Sequence, residues 1–210
     1  MPLQVKQLSV GQLQANCYIA WDDNSGKAIV IDPGDEADFI IGQVNRLSLS
    51  VGSIIATHGH FDHLMAVNEL KLAFNVPFFI HKADKFLLDR MRETTKHFLS
   101  LDPGPGPIPD KYLDKVESII VGNYRIGVIP TPGHTPGSVC LYSQISSIVF
   151  TGDLIFANGA VGRTDFQYSS QKDLKTSIEK ILKLPPKTTV YSGHGKETTI
   201  KRELEYFVND

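Results

Sequence analysis

Hydrophobic and polar positions follow two rhythms along this chain, one of period two and one of period three to four, and together they predict its elements. Residues 4–10, 16–21 and 27–31 are rich in β-branched and aromatic side chains and read as strands. The polar cluster 22–26 (DDNSG) is the turn between the last two. Residues 37–47 change to helical spacing, with Phe39, Ile40 and Val44 on one side. A short apolar strand at 53–57 leads into a helix predicted over 62–74, with Leu64, Val67 and the 70–72 cluster on its apolar face. A strand at 77–80 and a helix at 82–99 follow. Residues 102–110 (DPGPGPIPD) hold four prolines in nine positions, which excludes a helix or a central strand there. Strands are then predicted near 115–121, 124–129, 138–143 and 147–151, a loose stretch over 156–170, and a helix over 171–182. A last strand at 188–192 and a charged helix at 198–207 complete the pattern. Strands come in two batches, each followed by helices. That order predicts an α/β (α+β) layered fold with two sheets and helices outside.

Composition narrows the class without naming it. The 210 residues suit a single domain (1–210) with a well-buried core. A net charge of -2 leaves no basic footprint for nucleic acid or for a membrane surface. The longest apolar runs fall far short of a membrane span. The opening residues carry no basic segment followed by an apolar core, so no secretory signal is expected. Cys17 and Cys140 are too few for a disulfide framework and are expected to be buried and inert in a reducing cytoplasm.

The chemistry lies in the histidines. Five of the seven fall in three short motifs. In Thr57-His58-Gly59-His60-Phe61-Asp62-His63, four potential metal ligands occupy six consecutive positions at a strand-to-helix junction. Imidazole and carboxylate are the ligands that zinc, iron and manganese sites favour. His134 sits between two Pro-Gly turns in Thr131-Pro132-Gly133-His134-Thr135-Pro136-Gly137-Ser138. Asp153 ends Thr151-Gly152-Asp153, and His194 lies in Ser192-Gly193-His194-Gly195. Four times, then, an apolar strand ends in a glycine-containing turn that carries a His or an Asp. Such ends can converge on one edge of a sheet, where a rigid scaffold presents functional loops. Seven ligands exceed one tetrahedral ion. Two divalent ions per chain that share the two oxygens of Asp153 would use them all. Ions about 3.5–4 Å apart can hold a hydroxide between them and polarise an acyl or phosphoryl oxygen.

HGHFDH, GHTPGS, TGD and SGHG, in this order and spacing, resemble the metallo-β-lactamase superfamily from about Gln4 to Glu205. The resemblance implies an αββα four-layer sandwich with the metals at one edge. It also implies that His58, His60 and His134 hold one ion, that Asp62, His63 and His194 hold the other, and that Asp153 bridges them. Asp32, in Ile31-Asp32-Pro33-Gly34, matches a recurring aspartate that supports the site without binding metal. Gly162-Arg163-Thr164-Asp165-Phe166 and His194-Gly195-Lys196-Glu197-Thr198-Thr199 narrow the likeness to the glyoxalase II group in its short form. This implies thioester hydrolysis of an S-acylglutathione type by a bridging hydroxide, with Asp62 and Asp153 as the catalytic carboxylates. Zinc is the first expectation for the metal, and iron and manganese are the alternatives. Arg163 stands where the group contacts glutathione and is expected to hold a substrate carboxylate. Asp165 and Lys196 stand where longer members place tyrosines that touch glutathione, and the C-terminal helical extension of those members has no counterpart before Asp210. Persulfide dioxygenases, which use a single iron, share the GRTDF segment and give an alternative, as does a lactone or phosphodiester hydrolase of the same fold. The partner expected is a small-molecule thioester, with neither nucleic acid nor membrane. The pocket walls are expected from 102–110 and 156–170. His81 and His97, outside every motif, are read as ordinary.

Overall fold

The N-terminal strands carry apolar side chains on both faces, and this dictates what lies on either side of them. A computed structural model describes residues 2–207. β1 (Gln4–Val10), β2 (Ala15–Trp21), β3 (Lys27–Ile31), β4 (Ser50–Ile55), β5 (Phe78–Ile80) and β6 (Lys111–Tyr112) form one sheet in sequence order. The first three strands pair antiparallel and the rest are parallel. β7 (Ser118–Val121), β8 (Tyr124–Pro130), β9 (Val139–Ser143), β10 (Ile148–Gly152), β11 (Thr189–Ser192) and β12 (Thr198–Thr199) form the second, again in sequence order.

Alternation along single strands separates three apolar layers. Cys17, Ile19, Ala28 and Val30 point outward to α1 (Ala37–Arg46), α2 (Val67–Phe74) and α3 (Lys85–Leu99). Tyr18, Ala20, Ile29 and Ile31 point inward and meet Leu141, Ile148 and Phe150 of the second sheet. Cys140 and Val149 point outward again, under α4 (Gln171–Ile181) and α5 (Ile200–Phe207). Three apolar interfaces between four layers make the αββα sandwich. The side chains of Tyr18 and Phe150 meet edge-on across the middle layer at 5.2 Å.

Four local expectations change. The helix expected over 62–74 is a one-turn 3-10 helix, Phe61–His63, followed by a break and then α2. Met65 and Ala66 donate their N–H groups to the carbonyls of Gly34 and Pro33 and so leave no helical ladder there. Leu72, placed on the apolar face by its spacing, is exposed, as is Phe39, whereas Ile40 and Val44 are buried. Residues 82–84 likewise form a separate 3-10 turn ahead of α3. The helix expected from 198 starts at Ile200, because Thr198 and Thr199 pair with β11 as an edge strand.

Candidate metal centre

Each predicted ligand stands just beyond the end of a strand, but not all at one edge of one sheet. His58 follows β4 of the first sheet, while His134, Asp153 and His194 follow β8, β10 and β11 of the second. The ligands meet at the seam between the sheets. That seam is fastened by main-chain bonds, from Val139 N–H to Thr57 O (2.9 Å) and from Asn16 N–H to Gly193 O (2.7 Å). The Asn16 side chain also donates to Ser192 O and Gly195 O, and Tyr18 Oη donates to Ser192 O at 2.6 Å. The His194 loop is thus held by β2, on the opposite sheet. Gly193 is required there, since a Cβ would lie 2.1 Å from Asp153 Oδ1 and 2.9 Å from His63 Cε1.

Potential ligand atoms gather into His58, His60 and His134, and into Asp62, His63 and His194, the atoms of each set within 4.8 Å of one another. Asp153 lies between the sets. Its Oδ2 is 3.6 Å from His134 Nε2 in the first and 3.8 Å from His194 Nε2 in the second, and its Oδ1 is 3.5 Å from His63 Nε2. The seven residues implied as ligands are therefore brought together, with the carboxylate expected to bridge in the middle.

Hydrogen bonding orients the rings of three of the five histidines. His58 Nδ1–H donates to Thr57 Oγ1 (3.1 Å), which in turn donates to Asp32 Oδ2 (2.6 Å). His134 Nδ1–H donates to Arg163 O (2.8 Å), and His60 Nε2 hydrogen-bonds Tyr168 Oη (2.9 Å). His63 Nδ1 has an ion-pair contact, rather than a formed hydrogen bond, with Asp32 Oδ2 at 3.4 Å. The opposite nitrogens, His58 Nε2, His60 Nδ1, His134 Nε2 and His63 Nε2, face the centre. His60 Nδ1 and His134 Nε2 are only 2.9 Å apart. His58 Nε2, His63 Nε2 and Asp153 Oδ1 are buried without a hydrogen-bond partner. Unpartnered buried polar atoms are costly, and here three of them lie in one cluster. Outer hydrogen-bond partners on His58, His60 and His134, with unpartnered inner atoms on His58 and His63, fit metal ligation, and the donor set suits divalent ions.

The electrostatics agree. Burial and then the neighbouring histidines keep His58 and His60 neutral, His60 pushed down to about 3. Burial opposes a charge on His63, but Asp62, Asp153 and Asp32 outweigh it and lift the ring to about 10. Burial likewise works against ionised Asp62, and His63 and His194 overcome it. Asp62, Asp153 and Asp32 together thus favour cationic charge at the position of His63.

Asp32 accepts from Thr57 N–H (2.7 Å) and Thr57 Oγ1, next to His58, and its Oδ2 lies 3.4 Å from His63 Nδ1. Three supporting residues were not foreseen. Asn16 is one. Asp84, fully buried, accepts from Gly59 N–H (2.8 Å), Thr135 Oγ1 (2.7 Å) and Gly137 N–H (2.6 Å), and so clamps the His58–His60 loop to the His134 loop. Burial raises its carboxyl above the ordinary range against those three donors. The third is Tyr168, whose ring stacks on Phe166 and meets Phe86 edge-on. Tyr168→Phe removes the hydroxyl that hydrogen-bonds His60 Nε2. We expect zinc affinity of the three-histidine set to fall by about tenfold or more, read by chelator competition, with the fold unchanged. Unaltered affinity would show that packing alone holds the ring.

A cavity of about 480 Å³ opens onto His60, Asp62, His134, Asp153 and His194. The stretch 156–170 lines it, as expected. The loop 102–110 does not. Its wall is taken by Thr94 and Phe98 of α3. The loop instead packs over α2, where Asn68 and Lys71 donate to its carbonyls. Arg163 lines the mouth, but its guanidinium is held by Asp165 through two hydrogen bonds of 2.9 and 2.7 Å. Lys196 does not line the cavity, and His81 caps the turn before α3.

Comparison with known proteins follows this geometry. Residues 10–194 match the metallo-beta-lactamase superfamily. The hydroxyacylglutathione hydrolase GloC of Haemophilus influenzae is 34% identical over 96% of this chain and 95% of its own length. The crystal structure of the BLEG-1 B3 metallo-beta-lactamase superposes with a TM-score of 0.89 at 34% identity, covering 96% of this chain and 97% of that one. TTHA1623 in a di-iron-bound form gives 0.84 at 32% identity, covering 95% and 96%. The matched family, the sandwich and the order of the ligands agree, and this chain belongs to the metallo-β-lactamase superfamily.

Proposed function

We propose that the protein is a dinuclear metal-dependent thioester hydrolase. The observation that carries this reading is the position of Asp153 between two complete ligand sets at the floor of an open cavity. When bound, two divalent ions supply Lewis acidity, lowering the pKa of a water and polarising an acyl oxygen. The chain supplies the rest. Asp62 and Asp153 place carboxylates at the floor, and hydrogen bonds orient the rings of His58, His60 and His134 beside them. A protein nucleophile is not needed. Cys17 and Cys140 are fully buried and their thiols are pushed up, Cys140 to about 12, so neither offers a thiolate. Water cleaves the thioester to a carboxylate and a thiol. Because a free thiol has a pKa of ~8.5, the leaving group needs little help from an acid. The likeness to GloC supports the acyl-thiol class, and zinc is the metal proposed first, with iron or manganese as the alternatives. Two buried free cysteines suit a reducing cytoplasm, and among the described residues no helix is long and apolar enough to cross a membrane.

Elemental analysis after loading with zinc, iron or manganese should give close to two ions per chain. Thiol release from an acyl thioester should disappear with chelation and return with metal. A single ion after full loading, with oxygen uptake on glutathione persulfide and no thiol release, would replace this reading with the dioxygenase one.

A further inference from the structure

The walls of the cavity differ in character from its floor. Beyond the ligands they are mostly Leu13, Phe61, Phe98, Phe156, Val161 and Phe166. Three of these keep large apolar surface in water at the mouth, with Leu13 44%, Phe98 55% and Val161 39% exposed. Phe98 stacks on Phe61, so the apolar surface runs from the rim down to the residue next to Asp62. The only cation among the lining residues is Arg163, which is paired with Asp165 and lies over the Phe166 ring at 4.8 Å. Both members of that pair are largely exposed. A substrate carboxylate that took Arg163 would exchange one exposed ion pair for another, a change with little net gain. Covering the leucine, valine and phenylalanine surface, by contrast, gains with every methylene removed from water.

Taking thioester hydrolysis as the reaction, we propose that the site selects thioesters whose remote groups are apolar and uncharged, in preference to a glutathionyl thioester. Glutathione would bring two carboxylates and an ammonium against a wall that offers one committed guanidinium and no carboxylate outside the ligand sets. A hydrocarbon chain would cover the rim.

Two series test this on the zinc-loaded protein. In the first, kcat/KM is measured for the acetyl, butyryl and hexanoyl thioesters of N-acetylcysteamine, a neutral thiol. It should rise by about 2–4-fold per methylene, so that hexanoyl exceeds acetyl at least tenfold. Phe98→Ser should flatten that slope, and Val161→Ser is the second variant if the first does not fold. In the second series, calorimetry follows two thioethers that cannot be hydrolysed. S-hexyl-N-acetylcysteamine should bind more tightly than S-hexylglutathione. A flat acyl series, or tighter binding of the glutathione thioether, overturns the apolar assignment and leaves thioester hydrolysis standing. Absence of all thioester turnover, with the thioether order kept, overturns the reaction while supporting the character of the pocket.

Discussion

Asp153→Ala should leave fewer than one metal ion per chain and lower kcat/KM by about three orders of magnitude or more, a loss of about 4 kcal/mol of transition-state stabilisation. The expectation rests on the position of this carboxylate, in contact with His134 of one ligand set and with His63 and His194 of the other. Its removal takes a ligand from both sets together and leaves the second with a single carboxylate. Asp62→Ala is the proper comparison. Asp62 belongs to one set, so that variant should keep close to one ion, on His58, His60 and His134. Elemental analysis of both proteins, alongside their melting temperatures, separates loss of metal from loss of fold. Two retained ions in Asp153→Ala would remove Asp153 from the bridging role.

Asp84→Ala should lower the melting temperature by about 10 °C and weaken metal binding, although Asp84 is not a ligand. It would leave the Gly59 and Gly137 N–H groups and the Thr135 hydroxyl buried beside a void. Each unsatisfied donor costs about 1–3 kcal/mol, and for a chain of this size about 1 kcal/mol corresponds to 2–4 °C. Asp84→Asn should fall between this variant and the parent. An amide oxygen turned toward Gly59 and Thr135 keeps two of the three bonds, while its NH₂ group would then face the Gly137 N–H. Neutrality offsets part of that loss, because burial disfavours the carboxylate. Melting curves and zinc titrations of the three proteins check the order, and an unshifted Asp84→Ala would mean that the two loops hold themselves.

The difference between Asp153 and Asp84 shows what the sequence made legible. The seven residues that the fold gathers could be picked out because their types are chemically distinctive and their motifs follow apolar strands. The layers could be read because β2, β3 and β10 alternate within runs that are apolar throughout. Asp84, Asn16 and Tyr168 act through partners 25–53, 176–179 and 108 positions away, and no local period carries that information. The break at 64–66 is of the same kind, since the acceptors that interrupt the helix lie in the Pro33-Gly34 turn. The loop 102–110 was misplaced because proline content reports stiffness and not location. Arg163 could have been read further. Residues two apart in an extended segment share a face, and Asp165 stands at that distance.

Each sheet is built from one continuous half of the chain, β1–β6 first and β7–β12 second, so nearly all strand pairing is settled within a half. The metal centre, like the middle apolar layer, draws on both. During synthesis the first half can complete its ladder before the second exists, but the second cluster cannot close until His194 has docked against β2. Metal capture therefore marks the end of assembly rather than its start. An ion bound across the seam also acts as a clasp, stabilising the docked halves in proportion to the logarithm of its free concentration. Metal starvation would then loosen the joint between two halves that each remain internally paired, and amide exchange would accelerate first along the β2–β11 margin.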